Sequence, residues 1–357
     1  MSAGESSIVA DVHKPPPPPP APVLSQNPSS LSKVYSMKVV EDALRNFRTY
    51  RVYHDNTARI NHMDYSHDGK LLITSSDDDS MVVYSCDRGT KLQTVNSKKY
   101  GVCLIQFAND NKSVVHASSK VDNTIRYLSI DNKQYLRYFS GHVKRVRSLS
   151  MSPVDECFLS CSFDNSMRLW DLRVQSCQAI VMQNSPGIAS FDRNGMVFAV
   201  ALGSKVVKMY DIRHFDRGPF MTINLPPECH AEASNMQFSA NNKLAVLGTR
   251  SDDLYVVDTY EAKFLHRLHG HKNETHVNLK PTFAPGSRHV LCGGTDGIIS
   301  VYSLNKGEIV QRLRTEHSTP IETVLFSRRY LMMYSSCTEL RVWLPGTPDD
   351  SHSNQRH

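Results

Sequence analysis

Seven times along this chain a short alternating run ends on a large apolar side chain, at Tyr84, Leu128, Trp170, Tyr210, Val257, Tyr302 and Trp343. The intervals are 44, 42, 40, 47, 45 and 41 residues. Runs such as Ser80-Met81-Val82-Val83-Tyr84 and Gly297-Ile298-Ile299-Ser300-Val301-Tyr302 alternate with period two, as half-buried strands do. Asp78, Asp122, Asp164 and Asp296 each lie six residues before their slot, where a tight turn should join two strands. A unit recurring every 40–45 residues or so cannot bury its apolar face alone and must stack on its neighbours. Four strands to a unit and seven units predict an all-β, seven-bladed β-propeller.

One repeat carries the pattern in full. Ser140-Gly141-His142 starts it, Ser160-Cys161-Ser162-Phe163-Asp164 follows, and Leu169-Trp170-Asp171 ends it, which is the Gly-His to Trp-Asp form of a WD-type repeat. Only two of the seven slots hold Trp, so the register across all seven carries the assignment. Repeats four and five are the loosest, lacking Gly-His and the turn Asp. The seventh repeat ends near Trp343 and lacks an outer strand of its own. Tyr50-Arg51-Val52-Tyr53-His54 stands where Leu136-Arg137-Tyr138-Phe139 stands before the third repeat, so it is expected to close the ring by pairing with the last blade. Closure protects strand edges that otherwise invite aggregation.

The ring, residues 36–346, is large enough to bury roughly three quarters of its unfolded surface. Residues 1–35 differ in kind: Lys14 precedes the run Pro15 to Pro20, and Ser25, Ser29, Ser30 and Ser32 follow. With few large apolar side chains this arm is expected to be disordered, its prolines forming either a docking segment for an aromatic groove or a plain spacer. Residues 347–357 form a short polar tail. No apolar run approaches membrane-spanning length, and the N-terminus has no signal-peptide core, so a soluble intracellular chain is expected. The eight cysteines are scattered without a CxxC pair, which predicts reduced thiols and no metal site.

His142, Ser160, Asp164 and Trp170 include the residue types of a hydrolase, but their spacing suits a hydrogen-bonded network that locks one blade. His271 with Asp296 reads as a partial second version, and His317 has Cys337 where the turn Asp should be. No GxGxxG, GxxxxGK[ST] or HExxH motif is present, so neither an enzyme nor a cofactor is expected. Net charge is +6, from 41 basic against 35 acidic residues, too small for a polyelectrolyte binder. Position matters more. In the repeat register Arg59, then Lys98-Lys99-Tyr100, then Lys144-Arg145 and Arg147 fall at the loops entering the innermost strands of blades one to three. Such a basic crescent with an aromatic suits a phosphorylated peptide, or else it is ordinary solvated loop charge; Asp77 and Asp78 work against it. Base-specific nucleic-acid recognition is not expected.

Several segments go beyond the generic repeat: Ser75-Ser76-Asp77-Asp78-Asp79-Ser80, Ser97-Lys98-Lys99-Tyr100-Gly101-Val102, Asp122-Asn123-Thr124-Ile125-Arg126-Tyr127-Leu128-Ser129, Gly141-His142-Val143-Lys144-Arg145-Val146, Ser150-Met151-Ser152-Pro153-Val154-Asp155 and Phe215-Asp216-Arg217-Gly218-Pro219-Phe220. In these the chain resembles the WD-repeat subunit of COMPASS-type histone H3 lysine 4 methyltransferase complexes, the Swd-two class, over about residues 37–346. The likeness is dense through the first four repeats and thin in repeats five and six, and the proline arm lies outside it. It implies a nuclear, non-catalytic adaptor that joins the subunits of a SET-domain methyltransferase complex and, separately, a protein phosphatase 1 complex tied to transcription termination and RNA 3′-end processing. It also implies association with the phosphorylated C-terminal repeat domain of RNA polymerase II. The alternative is a substrate receptor of a cullin–RING ubiquitin ligase, since Trp170-Asp171-Leu172-Arg173 and Tyr210-Asp211-Ile212-Arg213 match a WDxR-type signature.

Overall fold

The period-two runs become seven four-stranded antiparallel sheets. The structure, a computed structural model, describes residues 37–346; the expectations for the arm (residues 1–35) and for the tail (347–357) fall outside the described residues. Blade one shows how pattern becomes structure. Its strands run Ile60–Tyr65, Leu71–Ser76, Ser80–Ser85 and Thr90–Asn96 from the channel outward. The middle two are buried almost throughout, because neighbouring blades cover both of their faces, whereas the outermost is largely exposed. Each turn aspartate holds its turn by accepting a backbone N–H two residues on: Asp78 from Ser80 at 3.0 Å, Asp122 from Thr124 at 3.1 Å, Asp164 from Ser166 at 2.9 Å and Asp296 from Ile298 at 3.2 Å.

The slot residues sit in the third strand of each blade and are at most 3% exposed. They plug seven apolar clusters, each shared by two adjacent blades rather than owned by one. Burying one such side chain contributes about 1.5–3 kcal/mol, and none of that is available to an isolated repeat.

A second device ties the innermost strands together. Just before the last residue of each such strand, a polar side chain reaches the next blade and accepts its backbone N–H. Asp64 takes Phe107 N–H at 2.9 Å, Gln106 takes Met151 at 2.6 Å, Ser150 takes Phe191 at 2.9 Å, Gln237 takes Phe283 at 3.0 Å and Thr282 takes Phe326 at 3.4 Å. In blade four Ser190 turns instead to the Phe191 carbonyl, and in blade seven the position is Leu325.

At the junction of blades seven and one the N-terminal segment does the closing. Phe47–Tyr53 pairs antiparallel with Leu340–Pro345, from Phe47 opposite Pro345 to Tyr53 opposite Leu340, with a bulge between Thr49 and Arg51. The closing strand thus begins three residues before the expected Tyr50, and Tyr50 itself sits at the bulge, 67% exposed. Ile60 N–H donates to the Cys337 carbonyl at 2.7 Å across the same seam. The sequence reading placed no helix before this strand, yet Met37–Asn46 is helical. Ala43 and Leu44 are buried with Phe47 against Leu291, Phe326 and Trp343, between blades six and seven.

Deleting residues 44–54 removes the closing strand and the buried end of the helix together. The expected outcome is an aggregated or unfolded product in size-exclusion chromatography and thermal melting. Tyr50→Ala, at the exposed bulge position, should melt within about 0.5 kcal/mol of the parent chain. A monomeric deletion variant with unchanged melting would contradict this closure.

Candidate functional site

In blade three the His142 ring is held at both nitrogens. Nδ1 lies 2.9 Å from Asp164 Oδ2 and Nε2 lies 2.7 Å from Ser160 Oγ, while Trp170 Nε1 donates to the same Ser160 Oγ at 2.8 Å. With Nδ1–H donating to the carboxylate, Ser160 O–H donates to Nε2 and accepts from Trp170, which closes the circuit. Burial alone would raise the Asp164 carboxyl, but hydrogen bonds from Ser166 and His142 outweigh it and hold the group at about 2. Burial lowers His142 against the pull of Asp164. Ser160 and Trp170 have no exposed surface, so the hydroxyl of this Ser-His-Asp set faces no solvent-open cleft. Gly141 packs closely beside it: a Cβ there would displace the Arg168 guanidinium and come within 3.3 Å of the Trp170 ring.

Blade seven builds the same circuit with a thiol: His317 Nε2 is 2.8 Å from Ser335 Oγ, Trp343 Nε1 donates to that oxygen at 2.8 Å, and His317 Nδ1 is 2.9 Å from Cys337 Sγ. Blade six departs from expectation. His271 Nδ1 meets the Tyr302 hydroxyl at 2.8 Å and makes no hydrogen bond to Asp296, whose Oδ1 is taken up by Ile298 N–H. The slot residue there is Tyr, and its hydroxyl takes the His271 Nδ1 that the turn aspartate takes in blade three.

The seven crescent residues share the face on which the chain enters the innermost strands, here called the upper face, but they divide into two kinds. Arg59 is clamped: its guanidinium pairs with Asp77 and with Glu322 of blade seven, both at 2.9 Å. Arg147 is a correction to the exposed-loop reading. It lies in the strand Val146–Met151 with its side chain only 10% exposed, and it donates to the carbonyls of Pro186 and Ala233 at 3.1 and 2.7 Å and to Glu232 at 3.2 Å. The strand begins at Val146, so Arg147 is its second residue and lines the channel wall.

Lys98, Lys99, Lys144 and Arg145 are exposed, and among the described residues none of the four forms an ion pair. Arg145 leans toward the Cys103 thiol of blade two; burial pushes that thiol up and Arg145 acts against it. Tyr100 is half-buried: Lys99 Nζ sits 5.0 Å and the Arg126 guanidinium 3.7 Å from its ring centre, and Tyr135 meets it edge-on at 5.7 Å. Arg126, buried and bonded to Asp122 at 2.9 and 2.7 Å, was missed by the sequence reading; the i, i+4 Asp-Arg spacing was the available signal. The acidic run beside the crescent is largely neutralised. Asp77 is paired with Arg59, Asp79 with Lys120, and Asp78 accepts from Ser80 and from Thr57 N–H. Three exposed apolar side chains, Val121, Val143 and Phe163, lie on the same face, and Arg147 lies 5.3 Å above the Phe163 ring.

Residues 47–85, 133–171 and 262–303 match the family described as WD domain, G-beta repeat, and each stretch ends one residue past a slot residue. WD repeat-containing protein 82 of Drosophila melanogaster is 39% identical over 309 residues, covering 87% of this chain and 98% of that protein. Set1 complex component swd2 of Schizosaccharomyces pombe is 41% identical over 213 residues, 58% of this chain and 59% of that protein. The chain belongs to this Swd2 family of WD-repeat proteins. COMPASS component SWD2 of Saccharomyces cerevisiae, 27% identical over 304 residues, covers 82% of the chain and 92% of its own length.

Against this Swd2-class background the WDxR-type segments read as internal pairs. Arg173 folds back on Asp171 with bonds of 2.6 and 2.9 Å, and Arg213 on Asp211 with bonds of 2.7 and 3.0 Å, on the face opposite the crescent. Among the described residues no group of three or more His, Cys, Asp or Glu side chains could hold a metal ion, and no helix is long and apolar enough to cross a membrane.

Ser160→Ala leaves His142 Nε2 and the Trp170 indole N–H buried without a partner. It should cost about 2–4 kcal/mol in denaturant unfolding, from roughly 1–3 kcal/mol for each unmet buried group. Stability should also fall with pH. Burial holds His116 down to about 4, His317 down to about 3, and His62 well below the usual range. In the unfolded chain histidines protonate near 6.5, so between there and about 4 the unfolded state binds more protons; the stability is full above pH 6.5 and is lost as pH drops. Asp64, raised to about 6 by burial, opposes this as a single group. Urea midpoints should therefore decline steadily from pH 7 to pH 4.5, and a flat profile would contradict the assignment of neutral buried rings.

Proposed function

We propose that this chain is a non-catalytic scaffold subunit of a nuclear Set1/COMPASS-type histone H3 lysine 4 methyltransferase complex. The observation that carries this reading is the family likeness: relatives at 41% and 27% identity are named Set1 and COMPASS components, and the second covers 92% of its own length. A closed ring whose Ser-His-Asp set is internal bracing supports a platform role. Partners would be the SET-domain subunit and its neighbours, with a protein phosphatase 1 regulatory subunit as the alternative assembly.

The finer part of the reading concerns the upper face. Lys98, Lys99, Lys144 and Arg145 receive a phosphorylated segment of the RNA polymerase II C-terminal domain, and Tyr100, Val143 and Phe163 pack beside its uncharged residues. Four exposed cations with no carboxylate partner among the described residues suit phosphate oxygens. Arg59 and Arg147 hold the blades that present them and contact no ligand in this scheme.

Affinity purification from nuclear extract tests the scaffold role: methyltransferase subunits should co-purify, whereas ligase adaptor subunits in their place would overturn it. For the upper face, a Lys99→Glu, Arg145→Glu double variant should weaken phosphopeptide binding at least about tenfold, the loss of two charge-assisted contacts. Unchanged affinity would remove the phosphate site and leave the scaffold role standing.

A further inference from the structure

The central channel holds cations that neither the blade clamps nor the upper face accounts for. On the lower face, where the innermost strands end, Arg193 follows Gly187–Phe191 of blade four and Arg328 follows Thr323–Phe326 of blade seven. Both line a cavity of about 180 Å³, together with Asp64, His62, Lys280 and Thr323. Among the described residues neither arginine forms an ion pair. The Arg193 guanidinium has a single, long bond of 3.4 Å to the Phe238 carbonyl, and the exposed Arg328 side chain makes none.

The carboxylates nearby are otherwise engaged. Asp192 accepts from Val197 N–H and from Asn242 Nδ2, both at 3.1 Å. Asp64 accepts the Phe107 N–H that ties blade one to blade two; burial raises it to about 6, so it is ionised at neutral pH, a single counter-charge facing both arginines. Lys280 Nζ donates to the Asn61 carbonyl at 2.6 Å. Two further polar atoms in the cavity wall have no partner: Thr323 Oγ1, in a residue 3% exposed, and His62 Nδ1.

Each guanidinium carries five N–H donors, and the long bond from Arg193 to Phe238 fills one of the ten. Two like charges held in a partly desolvated cavity are unfavourable, and Asp64 is a single counter-charge facing both. Burial, with the neighbouring Arg328, holds Arg193 down to about 9 against the pull of Asp64. Two forked donors lining one cavity, from blades four and seven, suit the oxygens of a tetrahedral anion.

We propose that the lower end of the channel binds a small phosphate-bearing anion between Arg193 and Arg328. This site lies on the face opposite the crescent and does not rest on the phosphopeptide reading. Phosphate, pyrophosphate and a phosphomonoester share the recognising chemistry, so glycerol 2-phosphate, inorganic phosphate and pyrophosphate form three arms of one calorimetric titration of the full chain at constant ionic strength. Saturable one-to-one binding of at least one is expected, and the tightest arm identifies the source. Arg328→Gln should weaken that binding about tenfold or more while leaving ligand-free melting unchanged, since Arg328 is exposed and unbonded. Arg193→Gln should do the same to binding, and the Lys99→Glu, Arg145→Glu variant should bind as the parent chain does. No saturable binding in any arm, undiminished affinity in both arginine variants, or loss on changing the upper face alone would overturn the proposal.

Discussion

The structure depends on one seam. Blades are not independent units: each apolar cluster needs two of them, so a ring with one open junction leaves two unfinished surfaces. Side chains from the innermost strands reach the next blade's backbone at five junctions, but blade seven offers Leu325 at that position and cannot do so toward blade one. The seam is held instead by the pairing of Phe47–Tyr53 with Leu340–Pro345, by Arg59 on Glu322, and by Ile60 N–H on the Cys337 carbonyl. Cys337 also meets His317, so the thiol version of the blade-seven network abuts the closing junction directly.

The seven slots, the turn aspartates and the closing segment were legible because each is local and periodic. A strand's alternation and an Asx-turn are written in a few neighbouring residues, and repetition multiplies a weak signal. What escaped was set by contacts distant in sequence. The helix Met37–Asn46 contains adjacent Val39 and Val40, a poor local advertisement for helix, and its Ala43 and Leu44 are buried against residues some 240 to 300 positions away. His271 was matched with Asp296 by spacing, yet the hydroxyl that it meets belongs to Tyr302, a slot residue read only for its apolar ring. Arg147, placed at or beside the entering loop by the repeat register, is the second residue of a strand, and a shift of that size at a strand start moves a side chain from solvent to the channel wall.

Cation type separates what position alone could not. Arg59, Arg126 and Arg147 each use the planar fork to make two or more directed bonds, joining blade to blade or strand to turn. Lys98, Lys99 and Lys144, single charges on flexible stems, project from the same face without such bonds. This follows from their chemistry: a guanidinium can satisfy several carbonyls at once when half-buried, whereas an ammonium is strongly hydrated and is better left in water. A basic crescent read from residue counts therefore overstates the charge available to a partner, since its arginines, Arg145 excepted, are already part of the frame.

The exceptions to that rule then acquire meaning. Arg145, Arg193 and Arg328 are arginines whose forks are not closed by internal carboxylates, and they lie at two separate places, one on the upper face and two at the lower end of the channel. Because Asp64 accepts the Phe107 N–H while facing Arg193 and Arg328, the frame and the channel charge meet in a single side chain. Filling the channel with negative charge would act on the carboxylate that joins blades one and two, the same pair of blades that presents Lys98 and Lys99.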